Sequence, residues 1–120
     1  MDFYETKKWI SLRESILRRD KYICQLSKRY GKLLQAEIVH HIFPRSEHPE
    51  YAYEPWNLIS LTRAAHNRLH DRNTDELTEE GAELLRRTAR KHGVPIPAKY
   101  QRKVKKVYRH AERMAYRSTE

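Results

Sequence analysis

Apolar residues near the start of the chain recur at helical spacing. They fall three and four positions apart, so one face of a helix from residue 6 to about residue 19 is apolar and the opposite face is mostly basic. The apolar face consists of Trp9, Leu12, Ile16 and Leu17. Thr6 is the expected N-cap, and Asp20-Lys21 is expected to turn the chain. The pattern predicts an amphipathic surface helix that packs its apolar side on the rest of the molecule.

Two short apolar runs in the middle of the chain are typical of β-strands. The first, residues 36–41, ends in paired histidines, and the second, residues 58–61, leads into a helix that Thr62 is expected to cap. A polar loop with three prolines, residues 44–55, connects the two runs. We therefore expect a strand, a loop, a strand and a helix in that order, with the two strands paired.

A second amphipathic helix is predicted from Glu79 to His92. Thr78 precedes it, and acidic residues occupy its first turn. Basic residues occupy its last turn, and Gly93 and Pro95 follow as the C-cap and the stop. The expected buried stripe is Leu84, Leu85 and Ala89.

The end of the chain, from about residue 98 to residue 117, is expected to form a third helix and is strongly basic. Glu112 is its sole acid, so its eight basic residues leave it seven charges positive. The basic residues are Lys99, Arg102, Lys103, Lys105, Lys106, Arg109, Arg113 and Arg117. Such a segment is an arm that binds a nucleic-acid backbone, a helix that docks on a partner, or merely a solvated face.

Bulk properties narrow the class of protein. At 120 residues the chain is one domain's worth with a small core, and its formal charge of +9 is typical of proteins that bind polyanions. A membrane surface is the rival partner. No segment approaches the apolar length that spans a bilayer, and the N-terminus lacks a signal-peptide pattern, so we expect a cytoplasmic protein. The single Cys24 cannot form an internal disulfide and suits a reducing compartment.

Four histidines form two pairs, one at the end of the first predicted strand and one on the helix that follows the second. His66 and His70 are four residues apart on a predicted helix, so they share a face and can chelate one ion. His40 and His41 are adjacent on a strand and point to opposite faces, so one can ligate while the other stays free. Imidazole suits zinc, nickel or copper better than magnesium, and three protein ligands leave positions open for water and substrate. The pattern favours a catalytic metal site over a closed structural one.

The order and spacing of these histidines, with Asn57 between the two pairs, resemble the HNH, or ββα-metal, endonuclease superfamily. The resemblance covers about residues 24–71 and is to small HNH proteins from phages of Gram-positive hosts; the double-histidine variant also looks like the colicin-type DNases. It implies an α+β fold that contains a ββα-metal core of about residues 22–72. One N-terminal helix and two C-terminal helices would complete a single domain over residues 1–120, the last two in an extension of about residues 78–117.

The resemblance also implies a role for each residue of the motif. His40, His66 and His70 would hold one divalent ion, with zinc, nickel, manganese and magnesium as candidates. His41 would be the general base, and Asn57 would brace the loop so that the base keeps its orientation. The implied reaction is hydrolysis of a DNA phosphodiester that leaves a 5′-phosphate and a 3′-hydroxyl.

One feature of many HNH relatives is missing. Ser27 replaces the second cysteine of the Cys-x-x-Cys pair that begins at Cys24, and Ala65 stands where those relatives carry another cysteine. A four-thiolate zinc knuckle is therefore excluded. Hydrophobic packing is expected in its place, with Cys24 as a small buried residue and not a nucleophile.

Basic residues near the site are expected to bind the phosphates that flank the cleaved bond. The candidates are Arg45, Arg63, Arg68, Arg72, Lys103 and Lys106. The resemblance points to a phage protein in the bacterial cytoplasm that acts in DNA packaging, with terminase subunits as possible partners. Two alternatives stay open: a non-catalytic DNA-binding or packaging accessory module on an HNH scaffold, and a structural zinc domain that docks on another protein.

Overall fold

A computed structural model describes residues 2–102 of the chain. The helices are α1 (Lys7–Arg19), α2 (Gln25–Arg29), α3 (Arg63–Leu69) and α4 (Glu79–His92), and the strands are β1 (Ile38–His41) and β2 (Leu58–Leu61). Four single turns of 3-10 helix complete the regular structure, at Phe3–Glu5, Pro49–Tyr51, Pro55–Asn57 and Ala98–Tyr100. None of the described helices is long and apolar enough to cross a lipid bilayer.

The two strands form an antiparallel pair in which Ile38 lies opposite Leu61 and His41 opposite Leu58. Alternate side chains leave the pair on opposite faces. One face packs on α1 through a core of Trp9, Ile16, Leu17, Ala36, Val39 and Leu58. The other face packs on α2, α3 and α4 through a larger core that includes Leu26, Leu61, Ala65, Leu69, Leu84, Leu85 and Ala89. The strand pair therefore separates the N-terminal helix from the rest of the molecule.

The caps predicted for α1 and α4 are confirmed. The Thr6 hydroxyl oxygen accepts a hydrogen bond from the Trp9 amide at 3.2 Å. At the start of α4 the Thr78 hydroxyl oxygen accepts one from the Gly81 amide at 3.3 Å. Gly93 ends this helix in the left-handed region at φ 66°, which a residue without a Cβ adopts most readily. Strand β2 and the cap at Thr62 also agree with the prediction.

The prediction that both histidines of the second pair lie on a helix is wrong. α3 ends at Leu69, and His70 follows it in an extended conformation, where it pairs with Leu77 in a β-bridge. Thr78 donates hydrogen bonds to the last two carbonyl oxygens of the helix. Its hydroxyl donates to Arg68 O at 2.6 Å and its amide to Leu69 O at 2.9 Å. The chain therefore leaves the helix axis before another turn forms. β1 is also shorter than predicted, since it begins at Ile38 and not at residue 36.

A short helix that the sequence did not suggest, α2, stands where relatives carry the cysteine knuckle. Cys24 is fully buried, and its sulfur accepts a hydrogen bond from the Ser27 hydroxyl at 3.2 Å. The Cys24 thiol lies 3.7 Å from the Thr62 hydroxyl oxygen, and Ala65 is buried in the same core. The predicted apolar packing is thus present, with weak polar contacts added to it.

The described part of the C-terminal segment is a 3-10 turn, Ala98–Tyr100, and not the start of an α-helix. Arg86 on α4 holds this turn, because its buried guanidinium donates to Tyr100 O at 3.0 Å and to a Glu83 carboxylate oxygen at 2.9 Å. The rest of the predicted third helix, with Lys103 and Lys106, lies outside the described residues.

Candidate active site

Three histidine side chains converge on the face of the strand pair that packs against α3. His40 comes from β1, His66 from α3, and His70 from the residue after α3. One ligand nitrogen of each ring lies within 4.8 Å of the others, and His40 Nδ1 and His70 Nε2 are 3.4 Å apart. Two nitrogens bound to one ion at about 2.1 Å in tetrahedral geometry are about 3.4 Å apart. The donor set and its spacing therefore fit one divalent ion.

A short turn after α3 aims His70 at the other two rings. Its Nδ1 donates to Asp75 O at 3.2 Å, since a carbonyl oxygen only accepts, and the lone pair of Nε2 is left free. The turn is closed by the Asp71 carboxylate, which accepts from the amides of Asn73 and Thr74 at 2.8 and 3.1 Å. A backbone turn thus produces the convergence that a longer helix was expected to give.

Burial keeps two of these imidazoles neutral. It lowers the pKa of His40 well below the ordinary value, and the charges of His70 and His66 lower it further. Burial and His70 also lower the pKa of His66, against an opposite effect of Asp75. His40 Nε2 is buried with no hydrogen-bond partner within residues 2–102. Neutral rings are the form that binds a metal, so His40 and His66 need not release a proton at pH 7.

His41 lies on the opposite face of β1 from His40, as the strand alternation predicted. Its ring stacks on Trp9 with centroids 5.0 Å apart and planes at 22°. Its Nε2 donates to Ala52 O at 3.0 Å, which leaves Nδ1 as the acceptor of the neutral ring. Burial lowers the pKa of His41, the nearby Arg45 lowers it too, and the bond to Ala52 opposes them. The ring is thus held neutral and oriented.

Asn57 braces the loop that carries Ala52. Its side chain is fully buried, and its Oδ1 accepts from the Phe43 amide at 2.7 Å. Its Nδ2 donates to Phe43 O and to Tyr51 O, both at 3.2 Å. The Asn57 carboxamide therefore ties the residues after β1 to the residue before Ala52, and so supports the acceptor that orients His41.

Replacing Asn57 with alanine is expected to lower the free energy of unfolding by about 1–3 kcal/mol, because the buried Phe43 amide loses its acceptor. Urea unfolding measures the loss. Ser60→Ala is the matched control, since Ser60 is equally buried but its hydroxyl makes only a 3.5 Å contact to Ile16 O. Equal stability of the two variants would contradict the bracing role.

One cavity of about 770 Å³ is lined both by the three convergent histidines, called the triad below, and by His41. His40, His66 and His70 line it, and so do His41 and Arg45. The strand therefore presents adjacent histidines to one space from its two faces, because β1 ends at His41. A cavity of this volume has room for a phosphate group.

The basic residues predicted near the site occupy different positions. Arg45 lines the cavity. Arg63 and Arg72 are exposed outside its lining, and Arg68 is exposed with its Nε 3.5 Å from a Glu80 carboxylate oxygen. Lys103 and Lys106 lie outside the described residues. Sequence reasoning missed the acceptors Ala52 O and Asp75 O, and the stacking of Trp9 on His41, because a backbone carbonyl has no signal in the sequence and Trp9 reads as an ordinary core residue.

Comparison with protein-family models gives no match, and comparison with curated proteins gives none either. Among solved structures, the chain is similar to the HNH endonuclease of the deep-sea thermophilic bacteriophage GVE2, solved with a manganese ion. The two are 36% identical with a TM-score of 0.54, over 55% of this chain and 72% of the phage protein. This identity over most of the phage enzyme agrees with the histidine cluster and the paired strands described above. The chain therefore belongs to the HNH endonuclease family.

Proposed function

We propose that this protein is a metal-dependent DNA endonuclease that hydrolyses phosphodiester bonds and leaves 5′-phosphate and 3′-hydroxyl ends. The observation that carries the proposal is the shared cavity, in which three convergent imidazoles lie beside a fourth that is oriented by Ala52 O and has Nδ1 free. A ligand cluster and a positioned base together are what hydrolysis of a phosphodiester requires.

His40, His66 and His70 would hold a single divalent ion. The imidazole set is compatible with zinc, nickel or manganese, and magnesium is the least suited candidate. Because the similar phage enzyme was solved with manganese, manganese is the first ion to test. When bound, the ion supplies Lewis-acid stabilisation of negative charge on the scissile phosphate and on the departing 3′ oxygen.

His41 would act as the general base. Its Nδ1 takes a proton from the water that attacks phosphorus, while Nε2 keeps its proton in the bond to Ala52 O. That carbonyl stabilises the positive charge that the ring acquires. Asn57 positions Ala52 through the loop backbone, so it acts on the base without touching the substrate.

Positive charge would hold the DNA across the cavity. Arg45 lies inside the cavity lining and is placed to bind the scissile or an adjacent phosphate. The exposed Arg63, Arg68 and Arg72, and the sequence-distant Lys103 and Lys106, are proposed to bind phosphates further along the backbone. The similar enzyme comes from a phage, so we propose a phage role in DNA packaging, beside terminase subunits in the bacterial cytoplasm.

A plasmid assay tests the proposed function. Supercoiled DNA is incubated with the protein and manganese, nickel, zinc or magnesium, and with excess EDTA as the metal-free control. We expect nicked or linear DNA with at least manganese and none with EDTA, and we expect the new 5′ ends to accept label only after phosphatase treatment. Intact plasmid with every ion, from protein that binds both DNA and metal, would overturn the proposal and favour the accessory DNA-binding module. Failure to bind DNA would favour a structural metal domain.

A further inference from the structure

An aromatic side chain that the proposed mechanism does not use stands at the edge of the catalytic cavity. Tyr4, in the 3-10 turn Phe3–Glu5, lines the cavity and is 47% exposed. Its ring makes edge contacts with Phe3 and Trp9, at centroid distances of 5.1 and 5.5 Å. Trp9 in turn stacks on His41. Tyr4 is therefore the outermost ring of an aromatic group that begins at the proposed base.

Basic side chains lie against aromatic rings at this edge of the cavity. The Arg45 guanidinium lies 4.3 Å from the centroid of Phe3 and 5.2 Å from that of Tyr4, and the Lys8 ammonium lies 3.9 Å from that of Tyr53. We call these five residues the aromatic-basic edge. Arg45 lines the cavity, and its Nε is buried with no hydrogen-bond partner among the described residues. Aromatic rings next to basic side chains are typical of surfaces that bind single-stranded nucleic acid.

The turn itself is poorly suited to bind phosphate, because an exposed acid stands at each end of the aromatic pair: Asp2 just before the turn and Glu5 as its last residue. What it offers is an aromatic face. The turn is also held in place: the Thr6 hydroxyl donates to Phe3 O at 2.8 Å and the Glu5 amide donates to Asp2 O at 3.0 Å. A ring held in advance loses little conformational freedom when a ligand stacks on it.

We propose that Tyr4 is a stacking platform for one unpaired base of the DNA substrate, beside a phosphate bound by Arg45. The inference rests on the proposed function for the identity of the ligand as DNA. It adds a substrate class: single-stranded or locally opened DNA, in which a base next to the cleaved bond is free to leave the helix.

A binding cycle without metal tests the stacking. Fluorescence anisotropy in EDTA compares an oligonucleotide of about 12 thymidines with an abasic strand of the same backbone length, for wild type, Tyr4→Phe and Tyr4→Leu. Leucine keeps apolar contact with Trp9 but has no aromatic face. Tyr30→Leu is the matched control, because Tyr30 is 79% exposed and does not line the cavity.

Wild type, Tyr4→Phe and Tyr30→Leu are expected to prefer the thymidine strand by about tenfold, and Tyr4→Leu is expected to lose most of that preference. The same preference in Tyr4→Leu as in wild type would overturn the inference, and so would its loss in Tyr30→Leu. The plasmid assay on the same proteins separates the two proposals. Cleavage by wild type without a base preference removes only the stacking site, whereas a Tyr4-dependent preference without cleavage by any ion removes only the nuclease.

Discussion

The His41→Ala protein is expected to bind DNA and metal as the wild type does, yet to cleave about a hundredfold to ten-thousandfold more slowly, which is the usual contribution of a general base. Alanine removes the nitrogen that would accept the proton of the attacking water. Metal affinity is preserved because His41 lies on the face of β1 opposite the triad and is not one of its members. Single-turnover nicking of supercoiled plasmid in saturating manganese measures the rate of the chemical step.

The matched control for His41→Ala is His48→Ala. His48 lies in the loop that follows β1, where it pairs with Glu50 and stacks on Tyr51 outside the cavity lining. We expect His48→Ala to nick plasmid at the wild-type rate. Isothermal titration with manganese and anisotropy with labelled DNA verify that both variants still bind. A His41→Ala rate within a few-fold of wild type would remove His41 from the role of base.

The His66→Ala protein is expected to lose both manganese binding and cleavage. Loss of a residue that hydrogen-bonds to a metal ligand usually weakens metal binding by about 10- to 100-fold. Loss of one of the three ligands themselves is therefore expected to weaken manganese binding by about a hundredfold or more. His66 is the suitable member to replace, because it is only half-buried at the surface of α3 and its truncation leaves the core intact. Calorimetric titration of the metal-free protein measures the change.

His92→Ala is the control for this second experiment. His92 is the exposed last residue of α4 and stacks on Trp56, away from the triad. Its replacement is expected to leave manganese affinity and nicking unchanged. DNA affinity in EDTA should be retained by both variants, since the proposed phosphate contacts are arginines and lysines and include no histidine. Manganese affinity in His66→Ala equal to that of wild type would show that the ion binds elsewhere.

Much of the fold could be predicted because its signals are local. The start of α4 follows from Thr78, whose side-chain oxygen accepts a hydrogen bond from a backbone amide of the first turn. Its end follows from Gly93, which has no Cβ and so adopts the left-handed conformation readily. The apolar spacing of α1 and the short run of β2 likewise report on neighbours within a few residues. α2 lacked such a signal: Cys24 at its N-cap makes no side-chain capping bond, and the helix is held by Leu26, which packs in the core with Leu61 and Leu85, and by contacts to residues distant in sequence.

The end of α3 shows where local reasoning stops. His66 and His70 at a spacing of four are compatible with one helical face, and the spacing contains no sign that the helix ends between them. The competing hydrogen-bond donors to the last helical carbonyl oxygens are the hydroxyl and the amide of Thr78, a residue eight positions further along than His70. His70 still reaches the other rings, because Asp75 O directs it.

By itself, the amino-acid sequence determined which side chains could do the chemistry: two histidine pairs and the asparagine between them, at a spacing that resembles HNH enzymes. Only the tertiary structure decided how they are arranged. The strand alternation already predicted that His40 and His41 point to opposite faces, but the fold ended β1 at His41 so that both rings line a common cavity. It also supplied the carbonyl oxygens of Ala52 and Asp75 that select the ring nitrogens left free. The physical reason is that the sequence specifies each side chain directly, whereas a hydrogen bond to a distant backbone carbonyl exists only after the chain has folded.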